Sequence, residues 1–169
     1  MSSIKNKDDF TSAYDEFADA IFRHCYFRVS DRERAKELMQ ETFIRTWNYI
    51  VDGNEIDQIK SFLYRTAHNL IIDEYRSRKN EASLDELQES GFDPEEDERA
   101  KLYAKIEAKE VLVLLDKLDE KHRDVIIMRF IDDLGPKEIS EVTGESENTV
   151  SVRLNRAIKS AKKLLEKQK

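Results

Sequence analysis

The sequence has little of what loop-built and cofactor-binding folds need. Of 169 residues, four are glycine and two are proline. So few argue against a loop-rich sandwich, a dinucleotide-binding glycine fingerprint and a phosphate-cradling loop. A single cysteine, Cys25, excludes an internal disulfide, so folding does not call for an oxidising compartment. No apolar run approaches the roughly 18–20 residues that span a bilayer, and the N-terminal stretch lacks the apolar core of a signal peptide. The three histidines, His24, His68 and His122, stand singly. His24 and Cys25 are neighbours, about 100° apart on a helix, which is not a zinc-ligand spacing. No carboxylate pair has a partner base or nucleophile that would single it out for catalysis. The expectation is a cytoplasmic protein with no catalytic residues, metal or cofactor, and with no direct insertion into a membrane.

Charge is abundant and unevenly placed. The net charge is -7, from 29 basic and 36 acidic residues. Residues 1–79 are nearly balanced, at 13 basic and 14 acidic. Residues 80–110 hold 4 basic and 11 acidic, and eight of those carboxylates fall between Ala82 and Glu98. From Glu147 to Lys169 the balance reverses, to 7 basic and 2 acidic. The middle reads as an acidic linker between two domains. The tail reads as a basic helix, and phosphates respond to that local field rather than to the net charge.

The apolar residues recur at helical spacing, and the chain is expected to be all-α. Phe10, Tyr14, Phe17, Ile21 and Cys25 share one helix face. Ser30 followed by Glu33 has the pattern of a capping box, which starts a second helix near Asp31. Ala35, Leu38, Phe43, Trp47 and Ile50 form its apolar side, and Asp52-Gly53-Asn54 breaks it. A third helix, from about Gln58 to Arg78, buries Ile59, Phe62, Leu63, Thr66, Ala67, Leu70 and Ile71. Three such helices can enclose a small core together. After the linker, Leu102, Ile106, Val111, Leu114, Leu115 and Leu118 give another apolar face. Asp119 is placed to cap a helix containing Val125, Ile126 and Phe130. The expected organisation is a helical domain over residues 1–80, a linker over 81–98 and a second helical domain over 99–169.

The last stretch carries the most specific pattern. Gly135-Pro136 opens a short helix with Ile139 and Val142 inward, since proline at a first helical position sacrifices no hydrogen bond. Gly144 suits a sharp turn, and Ser146 can cap a final helix. That helix faces Val150, Leu154, Ala157, Ile158, Ala161 and Leu165 inward. Short helix, glycine turn and capped basic helix make a helix-turn-helix, whose second helix must present polar groups to a major groove. Ser146, Asn148, Thr149, Ser151 and Asn155 are candidates for base edges. Arg153, Arg156 and Lys159, with Lys162 and Lys163 beyond them, are candidates for phosphates or base edges.

The stretch Leu118 to Leu165, with its frame Glu138-Ile139, Gly144, Ser146, Thr149-Val150, Arg153-Leu154 and Arg156-Ala157, resembles the promoter-reading C-terminal domain of bacterial RNA polymerase sigma factors. Upstream, DRERAKELMQETFIRTWNYI and IKSFLYRTAHNLIIDEYRSRKN resemble the N-terminal domain of the same proteins, in their compact extracytoplasmic-function group. The resemblance implies that Asp31, Glu37, Gln40 and Glu41 lie on a surface that docks on core RNA polymerase. It implies that Asn48 to Arg65 captures a flipped base of the -10 element and that Arg65 to Lys79 follows the upstream duplex. The residues expected there are Tyr49, Tyr64, Arg65, His68, Asn69, Arg76, Arg78 and Lys79. Trp47 and Phe62 fall on apolar stripes and are expected in the core, whereas Tyr49, Tyr64 and Tyr75 are the better candidates for a base or a phosphate. Promoter DNA and an anti-sigma factor are the other implied partners, and the free chain is expected to be a monomer. Two positions depart from the family pattern. Glu145 stands where an apolar residue is usual, and Ser151 where a basic one is frequent. No long extension follows Lys169, so no appended regulatory domain is expected.

Two other functions would share parts of this pattern. A helix-turn-helix regulator acting without polymerase would need the C-terminal motif but not the N-terminal one. A sigma-like protein that sequesters an anti-sigma factor would keep the docking faces but should lose the DNA-facing arginines and lysines, which this chain retains.

Overall fold

The computed structural model describes residues 3–81 and 110–167; the side chains of residues 78–81 fall outside that description. Among the described residues the regular elements are all helices, apart from one isolated β-bridge between Ile4 and Ile56. The chain divides into two compact units. The acidic linker expected at 81–98, and the helix expected to resume near Glu98 through Leu102 and Ile106, lie outside the described residues.

In the first unit, α1 (Lys7–Val29), α2 (Arg32–Val51) and α3 (Ile59–Glu81) pack against one another. Their stripes meet in one core. Phe17, Ile21 and Cys25 come from α1, Leu38, Phe43 and Ile50 from α2, and Leu63, Ala67 and Ile71 from α3. Phe10 on α1 meets Trp47 with ring centroids 5.0 Å apart, so Trp47 packs as its spacing predicts. Thr42 and Thr46 are fully buried, and each donates its hydroxyl to the carbonyl four residues back, at 2.8 Å. That bond satisfies the hydroxyl without a partner from another helix.

The joint between α1 and α2 differs from the expected capping box. Ser30 ends α1 in the left-handed region, with φ 55°, and its N–H returns to the Tyr26 carbonyl. Asp31, in extended backbone, is the residue that caps α2, accepting from the Arg34 N–H at 3.1 Å. One left-handed residue and one extended residue suffice to reverse the chain, so the cap moves one position on. Across the unit, Arg34 makes a two-pronged pair with Glu74 of α3, one arm at 2.8 Å, and also reaches Glu37 at 2.8 Å.

After residue 109 the chain is helical over 110–117, here α4, and Asp119 then caps α5 (Glu120–Ile126) by accepting from the His122 N–H. A π-helical turn, Ile127–Ile131, continues α5. It corrects the predicted apolar face. The wider turn shifts the phase, so Ile127 and Met128 are buried and Phe130 is 62% exposed. Val111 and Leu165, expected to face inward, are also exposed. The short helix α6 (Pro136–Thr143) buries Ile139 and Val142. Gly144 turns with φ 78°, a conformation that suits glycine, and α7 (Glu147–Lys167) follows. Val150, Leu154 and Ala157 are buried on α7, and Val125 of α5 clusters with Leu154 and Ala157, flanked by Ile126 and Ile158.

Replacing Asp31 with Ala should lower the thermal stability of the chain by about 1 kcal/mol, the usual worth of a side-chain cap. Asp31→Asn, which still accepts from Arg34, should keep most of it. Equal melting of the two variants would contradict the cap assignment.

Candidate nucleic-acid and partner interface

The outer face of α2 is built by what its inner stripe leaves over. Glu37 and Gln40 are exposed and Glu41 is half-buried, while Asp31 is half-buried and engaged as the cap. Glu37 holds Arg34, and Glu41 accepts from Arg45 at 3.2 Å. The sequence reading missed two apolar members of this surface, Ile44 at 53% and Val51 at 62% exposure. The available signal was that both fall off the buried stripe, a cue that exposed polar residues share. Carboxylates, an amide and exposed aliphatic groups together offer a partner both charge and apolar area.

The loop 52–58 and α3 gather the second set. Tyr49 is 39% exposed and its ring lies 5.0 Å from that of Phe62, at the two edges of the loop. Along α3, Arg65, Asn69 and Arg76 are exposed, with Asp73 exposed among them. The side chains of Arg78 and Lys79 lie outside the described residues.

Two members of the expected set are elsewhere. Tyr64 is 2% exposed and packs edge-on against His24, ring centroids 5.3 Å apart. His68 is 7% exposed and shares a hydrogen bond with Arg28, 3.1 Å from the guanidinium to the ring Nδ1. A guanidinium can only donate, so Nδ1 accepts and a neutral ring holds its proton at Nε2. Desolvation by burial lowers the His68 pKa to about 3, with help from the Arg28 charge and then from His24. His68 is therefore a neutral core group and not one of the positive groups expected along DNA. The physical reason for both corrections is helical phase. Positions 64, 67, 68 and 71 share the inner face of α3, and 65, 69 and 76 the outer one. Tyr75 is half-buried, and its hydroxyl donates to the Arg28 carbonyl at 2.8 Å, which ties α3 to α1.

On α7 the expected residues separate by phase as well. Asn148, Asn155, Arg156 and Lys159 are exposed, and Ser151 is half-buried. Ser146 and Thr149 are exposed but joined. The Ser146 hydroxyl accepts from the Thr149 N–H at 3.1 Å and donates to the Thr149 hydroxyl at 2.7 Å, so it serves as the cap. Arg153 is half-buried and lies 2.7 Å from the carboxylate of Glu145. The acidic residue that departs from the family pattern thus holds one arginine of the basic helix. Asn148, Asn155, Arg156 and Lys159, with Lys162 and Lys163 beyond them, are exposed groups able to meet bases and phosphates. Among the described residues no cluster of three His, Cys, Asp or Glu side chains could hold a metal ion, and no helix is long and apolar enough to cross a membrane.

Residues 13–81 match the family described as Sigma-70 region 2, and residues 108–160 the family described as Sigma-70, region 4. The extracytoplasmic-function RNA polymerase sigma factor SigW of Bacillus subtilis is 30% identical, over 95% of this chain and 90% of the relative. The RNA polymerase sigma factor YlaC of the same organism is 28% identical, over 98% and 97%. Among solved structures, CnrH in complex with the cytosolic domain of CnrY has a TM-score of 0.74 at 22% identity, over 97% of this chain and 92% of that one. The sigma factor RpoE of Bartonella quintana, in complex with the anti-sigma factor NepR, has a TM-score of 0.75 at 19% identity, over 95% and 98%. At these identities the structures show a shared fold.

The buried His68 makes stability depend on pH in a defined direction. Its folded pKa, about 3, lies below the ordinary 6.5. The unfolded chain therefore binds the extra proton first as pH falls. This contribution is complete above pH 6.5 and is lost between 6.5 and about 3, at up to about 1.4 kcal/mol per pH unit. Chemical denaturation at pH 7, 6, 5 and 4.5 should give a steeper fall for the unaltered chain than for His68→Gln. Parallel curves would place the acid sensitivity elsewhere.

Proposed function

The chain belongs to the extracytoplasmic-function group of the sigma-70 family of RNA polymerase sigma factors, and from that premise we propose that it is an alternative sigma factor directing core RNA polymerase to its own set of promoters. It contacts the -35 and -10 elements and promotes strand opening at initiation. The observation that carries this reading is a pairing in one chain. A three-helix region 2 unit precedes a region 4 helix-turn-helix whose outer face is polar and basic. A regulator acting without polymerase would need the second alone. Members of this family are not enzymes, and the chemistry of RNA synthesis belongs to the polymerase.

In this proposal residues 1–80 dock on core polymerase and take the -10 element, 81–98 link, and 99–169 take the -35 element. The outer face of α2 meets the polymerase through Glu37, Gln40 and Glu41, with Ile44 and Val51 adding apolar area. Base capture falls to the segment Asn48 to Arg65, with Tyr49 its exposed aromatic. Holding an unstacked base offsets the few kcal/mol of unstacking without ATP. Arg65, Asn69 and Arg76, continued by Arg78 and Lys79, follow the upstream duplex. The exposed start of α7 enters the major groove. The solved relatives support an anti-sigma partner for this chain, since RpoE of Bartonella quintana is held by NepR and CnrH by part of CnrY. The free protein is a cytoplasmic monomer in this account.

Run-off transcription on a genomic template library tests the function. Chain plus core polymerase should yield discrete transcripts that neither yields alone. Tight, sequence-specific binding of the free chain to duplex DNA as a dimer, with no such transcripts, would overturn it.

The α7 assignments predict two kinds of failure. Arg156→Ala should weaken holoenzyme binding across many -35 sequences and reduce the salt slope by about one. Asn155→Ala should instead relax preference at one base pair, by about 1–3 kcal/mol where its amide makes a two-point base contact. Filter binding on a panel of single-base promoter variants at several salt concentrations separates them. Identical profiles for the two variants would remove the distinction.

A further inference from the structure

The short segment before α1 has no part in the function so far. Ile4 and Ile56 exchange backbone hydrogen bonds as a single antiparallel rung. The Ile4 N–H donates to the Ile56 carbonyl at 2.9 Å, and the Ile56 N–H to the Ile4 carbonyl at 3.2 Å. Alongside, Lys5 Nζ lies 3.5 Å from the Glu55 carboxylate, a pair exposed at both ends and therefore weak. Ile56 is 3% exposed, so its backbone groups depend on this pairing in a place where unmet hydrogen bonds are costly.

Ile56 sits in the middle of the loop between α2 and α3. The first half of that loop is held by the end of α2. Gly53 N–H donates to the Ile50 carbonyl, and both the backbone and side-chain nitrogens of Asn54 lie within reach of the Tyr49 carbonyl. The second half is held by Ile4. The other end of the short segment is fixed as well. The Asn6 side chain caps α1 by accepting from the Asp9 N–H at 2.9 Å, and the Lys5 N–H donates to Asp9 at 3.3 Å. The rung thus connects the loop to the first turn of α1 across a single residue, Lys5, and the capping Asn6. The connection is short enough to transmit position.

We propose that residues 3–5 are a positioning strand that holds the 52–58 loop ready to receive the unstacked base. The inference deepens the reading of Asn48 to Arg65 as the base-capturing segment and rests on it. The energetic logic is preorganisation. Capture must offset the cost of unstacking, and every loop residue ordered at that moment subtracts from what capture supplies. A loop already held at Gly53, Asn54 and Ile56 has little left to order. Duplex binding through α7 does not use the loop, so the effect should fall on opening alone.

Ile4→Pro removes the donor to Ile56 and Ile4→Val keeps it. A chain beginning at Asn6, which retains the α1 cap, is the second variant in case proline disturbs folding. Each is measured as free chain for amide exchange at Ile56 and for thermal unfolding. Each is then assembled with core polymerase on a promoter recovered by run-off selection. There, filter binding reports the closed complex and permanganate reactivity of the -10 thymines reports opening. We expect faster exchange at Ile56, unchanged closed-complex binding and about a ten-fold loss of opening for Ile4→Pro and the truncated chain. Ile4→Val should behave as the unaltered protein. Wild-type opening despite lost Ile56 protection would overturn the proposal, as would a proportional loss of closed and open complexes. Asp57→Ala and Gln58→Ala, within the loop, separate this from failure of the underlying reading. If they impair opening while the loss of Ile4 does not, the loop captures the base without help from the strand. If they too leave opening unchanged, the loop is not the capture site and both readings fall.

Discussion

The packing of the α3 stripe against α1 and α2 is the interaction on which the first unit depends. Leu63, Ala67 and Ile71 are fully buried, and Leu70 nearly so. Removing side chains of this size from water stabilises by about 1.5–3 kcal/mol each for the larger ones. Because a helix has one inner face, that choice also decides which residues remain outside. Arg65, Asn69 and Arg76 are exposed because Tyr64, Ala67, His68 and Ile71 take the inner face. The outer face of α2 arises in the same way, as the remainder after Leu38, Thr42, Phe43, Thr46 and Ile50 have turned inward. Arg34 fixes the relation between the two faces, since it holds Glu74 of α3 with one side of its guanidinium and Glu37 of α2 with the other.

The same rule builds α7 from fewer contacts. Val150, Leu154 and Ala157 seat the helix, and Val125 of α5 packs against two of them. The Ser146 cap defines where the helix begins, and so which residues stand at its exposed first turns. Glu145 adds an electrostatic choice. With its carboxylate 2.7 Å from the guanidinium, Arg153 is held in place and part of its charge is cancelled. Positive charge on the exposed side of the helix therefore comes from Arg156, Lys159, Lys162 and Lys163.

What the sequence made legible was the part that periodicity controls. Three stripes, the break at Asp52-Gly53-Asn54, the Asp119 and Ser146 caps and the glycine turn at Gly144 all follow from local chemistry, and the structure has them. The errors have local causes too. Ser30 and Asp31 are both good capping residues, and only the left-handed turn at Ser30 decides between them. Phe130 continues the α5 period, but the π-helical turn carries it outward. Tyr64 and His68 are polar enough to suggest a surface, yet helical phase places them with Leu63 and Ala67. The rung between Ile4 and Ile56 spans more than fifty positions and a single residue pair, so no pattern in the sequence could signal it.

Charge placement sets the terms on which such a chain can meet DNA under the proposed function. The net charge of -7 opposes general attraction to a polyanion, and residues 80–110 account for all of it. Locally the reverse holds, since Glu147 to Lys169 carries five more basic than acidic residues. A protein so charged gains little from non-specific attraction, because its net charge opposes a polyanion while one basic helix favours it. Screening acts on both, and at physiological salt it extends about 8 Å, which is less than two turns of helix. Contact through α7 is then decided by the groups within a few ångströms of the phosphates, and the acidic segment matters chiefly during approach. Under the proposed function, docking on polymerase would remove that approach step from the free chain, because a larger body would deliver the helix to DNA. The acidic middle and the basic end are compatible in one small protein for this reason: delivery by a partner makes long-range attraction unnecessary, and local geometry retains the power to discriminate.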